Sequence, residues 1–424
     1  MGCEPIAMAA GRPWSPPPEE LASARTLDSW VPIDGFVGAL IWVEGEVYHT
    51  AFSCQGEEAE LTPGFASGIL EGSLRGYSFE AVREFPTHLF FEEGFVDPFG
   101  PIHLLAHPAG SVMIRGFRRV DWAMRELELV RGVDRLDWLL KPVSLASRGS
   151  APAFAVYALP RVEYLGRELA LALVGASPLH SGRPAGLAAE LGRRVAELQA
   201  AAYGYRAETG GATLAEERVR ELAESIMRRY GELAALTARA SDPLLGRLAG
   251  LAAGPAKNAA RVVAAMAGSP GGAIGSFVPT LTAQTWEGPT PLSLQGGEWP
   301  SSPCGPDGHP LSDLGGASAD LRVAAFLEAS QELGGWAKAA RSALRGELGD
   351  LREAVDSAVT EIARGYVKGR AEDPVPWRVE SWEDLKPAIE AWEVARLVDL
   401  AIRSLETGDE GTAGAALVAA AGGV

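Results

Sequence analysis

The chain has 424 residues, 47% of them hydrophobic, and its 55 Asp and Glu outnumber 38 Lys and Arg to give a formal charge of −17. That is enough apolar chain for two or three domains. The acidity excludes nucleic acid and anionic membrane surfaces as partners, because a phosphate-tracking face needs clustered basic residues and the sequence has none.

Cys3, Cys54 and Cys304 are odd in number and widely separated, which excludes a disulfide framework or a zinc cluster and predicts a reducing compartment. The opening stretch with "GRPWSPPPEE" lacks the basic and apolar regions of a signal peptide, and Arg, Glu or Gly interrupts every long apolar run before it reaches spanning length. The expectation is a soluble, cytoplasmic protein whose partners are small molecules or other proteins.

In chain order, residues 1–25 are Pro-rich and predict a loose, flexible arm. "GFVGALIWVEGEVYHTAFSC" (Gly35 to Cys54) alternates apolar positions around an "EGE" interruption, the pattern of a β-hairpin. It opens an α+β module over 26–95. "PIHLLAHPAGSVMIRGF" (Pro101 to Phe117) predicts two strands with a turn at Pro108 to Gly110. A helix follows, with Trp122, Leu127, Val130 and Val133 at helical spacing, and then two further strands in "LLKPVSLAS" and "APAFAVYALPRV". Residues 96–162 therefore read as a small β-rich lobe, and 163–408 as long helices. Thr213 and Glu216 form a candidate capping box within the latter. Gly, Pro and Ser fill 270–316, a loop long enough to predict function. The tail, 409–424, reads as weakly ordered. His103 and His107 share a strand face without a third ligand nearby and read as core residues.

A small β-rich lobe with one helix, then a larger helical lobe with a loop before an Asp, is the outline of a bilobal protein-kinase-like fold, here with an N-terminal cap module. Several stretches carry the outline further. "VMIRGFRRVDWAMRELELV", "LGRRVAELQ", "LQGGEWPSSPCGPDGHPLSDLGG", "DLRVAAFLEAS" and "EIARGYVKG" occur in the order of similar stretches in the maltokinases, sugar kinases of the aminoglycoside-phosphotransferase type. The chain resembles that family from about residue 100 to about residue 400.

The resemblance implies ATP-dependent phosphorylation of a sugar such as maltose, in trehalose or α-glucan metabolism, with Mg·ATP as cofactor; since the family's phosphate-gripping loop and Lys are missing here, Mg·ATP is expected to bind weakly or not at all. It places Arg115 where the family has its phosphate-pairing Lys, and Glu126 or Glu128 where the helix partner of that Lys would stand. The residues also permit a plain strand-to-helix ion pair between Arg115 and either Glu. The family's His-Gly-Asp corresponds to Gln295-Gly296-Gly297, so the carboxylate that would accept the sugar hydroxyl proton is missing from its slot. Glu298, one residue later, is either its replacement across a permissive Gly-Gly pair or an ordinary loop carboxylate. Pro300, Ser301 and Ser302 stand where a second metal ligand would be. Asp313, sixteen positions after Gly297, is either the remaining metal ligand or the cap of the "DLGG" turn. "GPIHLLAHPAG" also offers no polar, Gly-rich loop for phosphates.

Phosphoryl transfer needs a gripped nucleotide, metal ions and an in-line proton acceptor. With these positions altered, the leading expectation is a degenerate, pseudokinase-like protein with a binding or regulatory role toward a small sugar or nucleotide, or toward an α-glucan or trehalose pathway enzyme. The alternative is an active, divergent sugar kinase that makes a maltose 1-phosphate type product using Glu298 and Asp313.

Overall fold

The computed structural model describes residues 4–10, 12, 15–16, 18–81, 89–97, 100–107, 110–133, 135–175, 184–209, 216–266, 282–285, 287–292, 309–371 and 381–424. The chain divides into two compact units, Met1–Arg131 with Trp138–Val162, and Gly132–Asp137 with Glu163–Val424.

The first unit opens with α1 (Pro5–Ala9) and α2 (Pro18–Leu21), then a three-stranded antiparallel sheet of β1 (Arg25–Trp30), β2 (Phe36–Val43) and β3 (Glu46–Ser53). Glu44 and Gly45 join β2 to β3 with φ of 47° and 98°, the left-handed pair that a two-residue hairpin turn requires. The expected hairpin is therefore present. The expected loose arm is not wholly loose. Its α1 lays Ile6, Met8 and Ala9 against Ile41, Val43 and Phe52, because a five-residue apolar helix cannot stay in water when an uncovered sheet face is at hand.

A 3₁₀ turn (Ala59–Leu61) leads to α3 (Pro63–Glu71), β4 (Ser78–Glu80), β5 (Phe90–Asp97), β6 (Gly100–His107), β7 (Gly110–Gly116), α4 (Val120–Gly132), β8 (Pro142–Arg148) and β9 (Ala151–Leu159). The last six strands form one sheet in the order β4-β8-β9-β7-β6-β5, and the ladders joining them are antiparallel. Both faces of β9 are covered, so "APAFAVYAL" is nearly continuously apolar where a half-exposed strand would alternate. Phe65 and Ile69 of α3 share a core with Ile114 and Phe154. Residues 26–95 and 96–162, read separately from sequence, contribute to this one core and sheet.

After Gly132–Asp137, the second unit resumes within β10 (Val162–Leu165) and continues with α5 (Arg167–Leu173) and the long helices α6 (Pro184–Thr209), α7 (Glu216–Thr237) and α8 (Pro243–Ala264). The short hairpin β11 (Thr282–Thr285) and β12 (Gly288–Pro291) completes a small sheet with β10. Then come α9 (Leu311–Glu332), α10 (Trp336–Leu344), α11 (Gly349–Ala371), α12 (Trp382–Glu406) and α13 (Glu410–Ala420). Thr213 lies outside the described residues, as does the side chain of Glu216, and with them the expected capping box.

The weakly ordered tail is a correction. Residues Ala413 to Ala420 of α13 are all buried, in a core with Leu245, Phe326 and Ile402, and Asp409 caps the helix by accepting from the Thr412 amide at 2.9 Å. "EGTAGAALVAA" is small and apolar on every side, so it carries no amphipathic stripe from which to read a helix; such a helix is stable only when surrounded. None of the described helices is long and apolar enough to cross a membrane.

Candidate functional site

Strand β7 sets Arg115 opposite Ile102 of β6 and Ala155 of β9, in the middle of the six-stranded sheet. The guanidinium is fully buried, and its Nε lies 3.4 Å from Oε1 of Glu126 on α4. It also lies 5.8 Å from the centre of the Phe117 ring. Of the two acidic candidates, only Glu126 turns inward. Glu128 is exposed, since two residues along a helix rotate the side chain by about 200°. Tyr157 of β9 shares the neighbourhood: burial first, then the Glu126 charge, raises its phenol pKa, with Arg115 opposing.

The two arginines of "GFRRV" are also engaged. Arg118 is buried and donates to both carboxylate oxygens of Glu60, at 2.6 and 2.7 Å, and to Glu58 at 2.5 Å. Burial alone would lower its pKa, but the Glu60 and Glu58 charges outweigh that and raise it. Arg119 pairs with Asp121 at 2.7 Å and with Glu46, and lies over the Trp122 ring. His103 is fully buried with Nδ1 donating to the Glu60 carbonyl at 2.6 Å, a core role as expected, while the side chain of His107 lies outside the described residues. Burial lowers the His103 pKa and keeps the ring neutral.

Gln295, Gly297 and Glu298 lie outside the described residues. Asp313 is described, in the second unit. It sits in the first turn of α9, 2% exposed, and its Oδ2 accepts from Nε2 of Gln199 at 2.6 Å. The same Nε2 donates to the Pro310 carbonyl at 2.7 Å. Oε1 of Gln199 accepts from the Tyr366 hydroxyl at 2.7 Å and from Nη2 of Arg370 at 3.0 Å, and Nε of Arg370 donates to the Tyr366 oxygen at 3.1 Å. Three helices thus meet at one amide: α6 through Gln199, α9 through Asp313, α11 through Tyr366 and Arg370. Gln199, Tyr366 and Arg370 were not among the residues assigned to a site from sequence. The signal was nonetheless present, since "LGRRVAELQ" ends on Gln199 and "EIARGYVKG" contains Tyr366 and is followed by Arg370.

Other members of these stretches hold the frame. Arg194 donates to the Pro289 carbonyl at 3.2 Å and to the Glu287 carbonyl, anchoring the β11–β12 hairpin to α6. His309, just before α9, stacks on Trp392 of α12 with centroids 6.3 Å apart, and its Nδ1 accepts from the Leu311 amide at 3.1 Å. Burial pushes the His309 pKa down to about 4.

Mg²⁺ takes an octahedral shell of oxygens and keeps several waters. Asp313 is 2% exposed and has one of its two oxygens, Oδ2, on the Gln199 amide. Among the described residues, no three His, Cys, Asp or Glu side chains gather as a metal-holding group.

No protein-family model and no curated protein sequence matches the chain. Solved structures do match. A glucosamine kinase in complex with glucosamine, ADP and inorganic phosphate superposes with a TM-score of 0.60 at 13% identity, covering 93% of each chain. A second glucosamine kinase structure, crystal form B, gives 0.56 at 14% identity over 99% of this chain and 96% of that one, and crystal form A gives 0.53 over 94% and 90%.

The chain has a sugar-kinase-like fold. The likeness runs through nearly the whole of both chains. At this identity the likeness concerns fold alone, and the activity has to be argued from the residues.

Proposed function

We propose that this protein uses the sugar-kinase-like fold to hold a small sugar or a nucleotide in a binding or regulatory role, without transferring phosphate, within maltose, trehalose or α-glucan metabolism. The observation that carries the reading is the buried guanidinium of Arg115. The pairing with Glu126 is the strand-to-helix partnership that an active kinase also keeps; what counts against phosphate transfer is that the cation is a guanidinium, fully buried against Glu126 and the Phe117 ring. A planar guanidinium in place of a compact ammonium also fits a narrow phosphate gap poorly.

Two further points support it. By resemblance to the maltokinases, the slot of the proton-accepting carboxylate holds Gly297, in the run Gln295-Gly296-Gly297 that Glu298 follows. Asp313 is buried with one carboxylate oxygen on Gln199. A small sugar or nucleotide as ligand is suggested by the glucosamine kinase whose structure holds glucosamine and ADP, and the maltose link by the order of motifs in the sequence. Mg·ATP is the cofactor such a fold implies when it is active; bound Mg²⁺ would neutralise phosphate charge.

The test is calorimetric titration of the full chain with ATP, with and without Mg²⁺, and with glucosamine and maltose, alongside a phosphotransfer assay at high protein concentration. Binding of a sugar or nucleotide without turnover is expected. Phosphorylated sugar formed at a rate proportional to protein concentration overturns the reading.

A further inference from the structure

We infer that Asp313 is a positioning residue, fixed by Gln199, that ties the start of α9 to α6 and α11, and is not a cation ligand. The inference concerns the same site as the proposed function and rests on that reading only for the fold.

The Gln199 amide is satisfied on all four sides. Its two N–H bonds point at Asp313 Oδ2 and the Pro310 carbonyl, and its oxygen receives Tyr366 and Arg370. Turning the amide over would set oxygen against a carboxylate and a carbonyl, and an NH₂ group against a guanidinium, so only one orientation is stable. The chain Asp313–Gln199–Arg370 also places a carboxylate and a guanidinium on opposite ends of one neutral side chain, so that charges buried to 2% and 4% exposure are balanced within the network. Asp313 sits in the first turn of a 22-residue helix, where the helix dipole favours a negative charge without a metal. A cation drawing Oδ2 away would strand the Gln199 N–H in a dry site, at the cost of an unsatisfied buried donor.

What the network positions is the entry to α9. Pro310, whose carbonyl receives Gln199, begins the helix, and the Ser312 amide donates to the His309 carbonyl at 2.8 Å. Three residues after Ser312, Gly315 touches α12, where a Cβ would stand 2.5 Å from Cβ of Trp392. The start of α9 is thus located from three directions, by α6, α11 and α12.

The experiment uses the full chain with Asp313→Asn, Gln199→Leu, the double variant and Gln199→His, followed by thermal unfolding and by electron paramagnetic resonance of Mn²⁺ with and without ADP. Asn keeps an oxygen for Gln199 while removing the charge. Gln199→Leu is expected to lower Tm by about 4–10 °C, and the double variant by less than the sum of its parts, because both changes break one network. His can donate to Asp313 through one nitrogen and accept from Tyr366 through the other, so Gln199→His is expected to recover at least half of the loss. The amount of Mn²⁺ bound per chain is expected to be the same in wild type and Asp313→Asn, even if that amount is zero. Loss of a Mn²⁺ site on Asp313→Asn, strict additivity, or a His variant no better than Leu each overturns the inference. Should Gln199→Leu fail to fold, Gln199→Ala, alone and combined with Asp313→Asn, gives the same test of additivity. Sugar phosphorylation that survives Asp313→Asn would sink the proposed function and leave this inference standing.

Discussion

Gly192 on α6 and Gly365 on α11 bring two helix backbones into direct contact. A Cβ on Gly192 would stand 1.8 Å from the Ile362 carbonyl oxygen, and one on Gly365 would stand 1.9 Å from that of Ala189. This approach is what lets a Gln on α6 receive both Tyr366 and Arg370 from α11 at hydrogen-bond distance. Gly365→Ala sets two effects against each other. Ala in a helix interior is favoured by about 1 kcal/mol, while forcing the helices apart costs about 3 kcal/mol. The expected outcome is net loss of stability in denaturant titration. A stabilised variant would mean that the contact is not tight in solution.

The Arg115–Glu126 pair gives a second prediction. Both groups are buried, so Arg115→Met leaves an uncompensated carboxylate and is expected to cost about 3–5 kcal/mol. The double variant Arg115→Met, Glu126→Leu is expected to regain most of that loss, since well-packed apolar side chains replace a buried pair at little cost. A structural pair behaves this way in the absence of any ligand. Normal unfolding of the single variant would show that the pair does not hold the fold.

The two halves of the pair were unequally legible. Arg115 and its strand were readable because β7 has an apolar run bounded by glycine turn signals. The choice of Glu126 over Glu128 needed the phase of α4, which Leu127 and Val130 leave ambiguous by one position until the helix is docked. The Asp313 network was hidden for another reason. Its partners lie 114 residues from Gln199 to Asp313 and 167 from Gln199 to Tyr366, and nothing local in "LGRRVAELQ" says that the Gln faces inward. Likewise, α13 has no polar face to set its period, so the tail could be read only once its surroundings were known.

His309 predicts a pH dependence. Its pKa is lowered by burial to about 4, whereas the unfolded chain titrates near 6.5, so between those values the unfolded state binds more protons. Stability from keeping this ring neutral is fully present above about pH 6.5 and is lost as pH falls toward 4, by about 3 kcal/mol in all. His49, also buried and held neutral, slopes the same way, so the measurement is the difference between wild type and His309→Phe. That difference is expected to change with pH across this window, with the variant showing the flatter profile. Parallel profiles would show that His309 titrates normally in the folded protein.

Whether the chain transfers phosphate at all turns on Glu298, one residue beyond the slot where a proton-accepting carboxylate is expected by resemblance. A one-residue displacement changes a side chain's direction, and a misplacement of about 1 Å at a reacting centre costs about 100-fold in rate. Glu298 therefore has to swing across Gly296 and Gly297 to serve. With ATP, Mg²⁺ and a panel of glucosamine, maltose and related sugars, wild type and Glu298→Gln are expected to show the same background. Gly297→Asp combined with Arg115→Lys returns the two side chains that a sugar kinase would use, and is expected to give no more than a trace of transfer, because Asp313 remains bound to Gln199. Turnover in wild type that disappears in Glu298→Gln, with unchanged thermal stability, would identify a working general base, since loss of a base lowers rate without removing packing. That single outcome would turn the binding protein proposed above into a divergent sugar kinase.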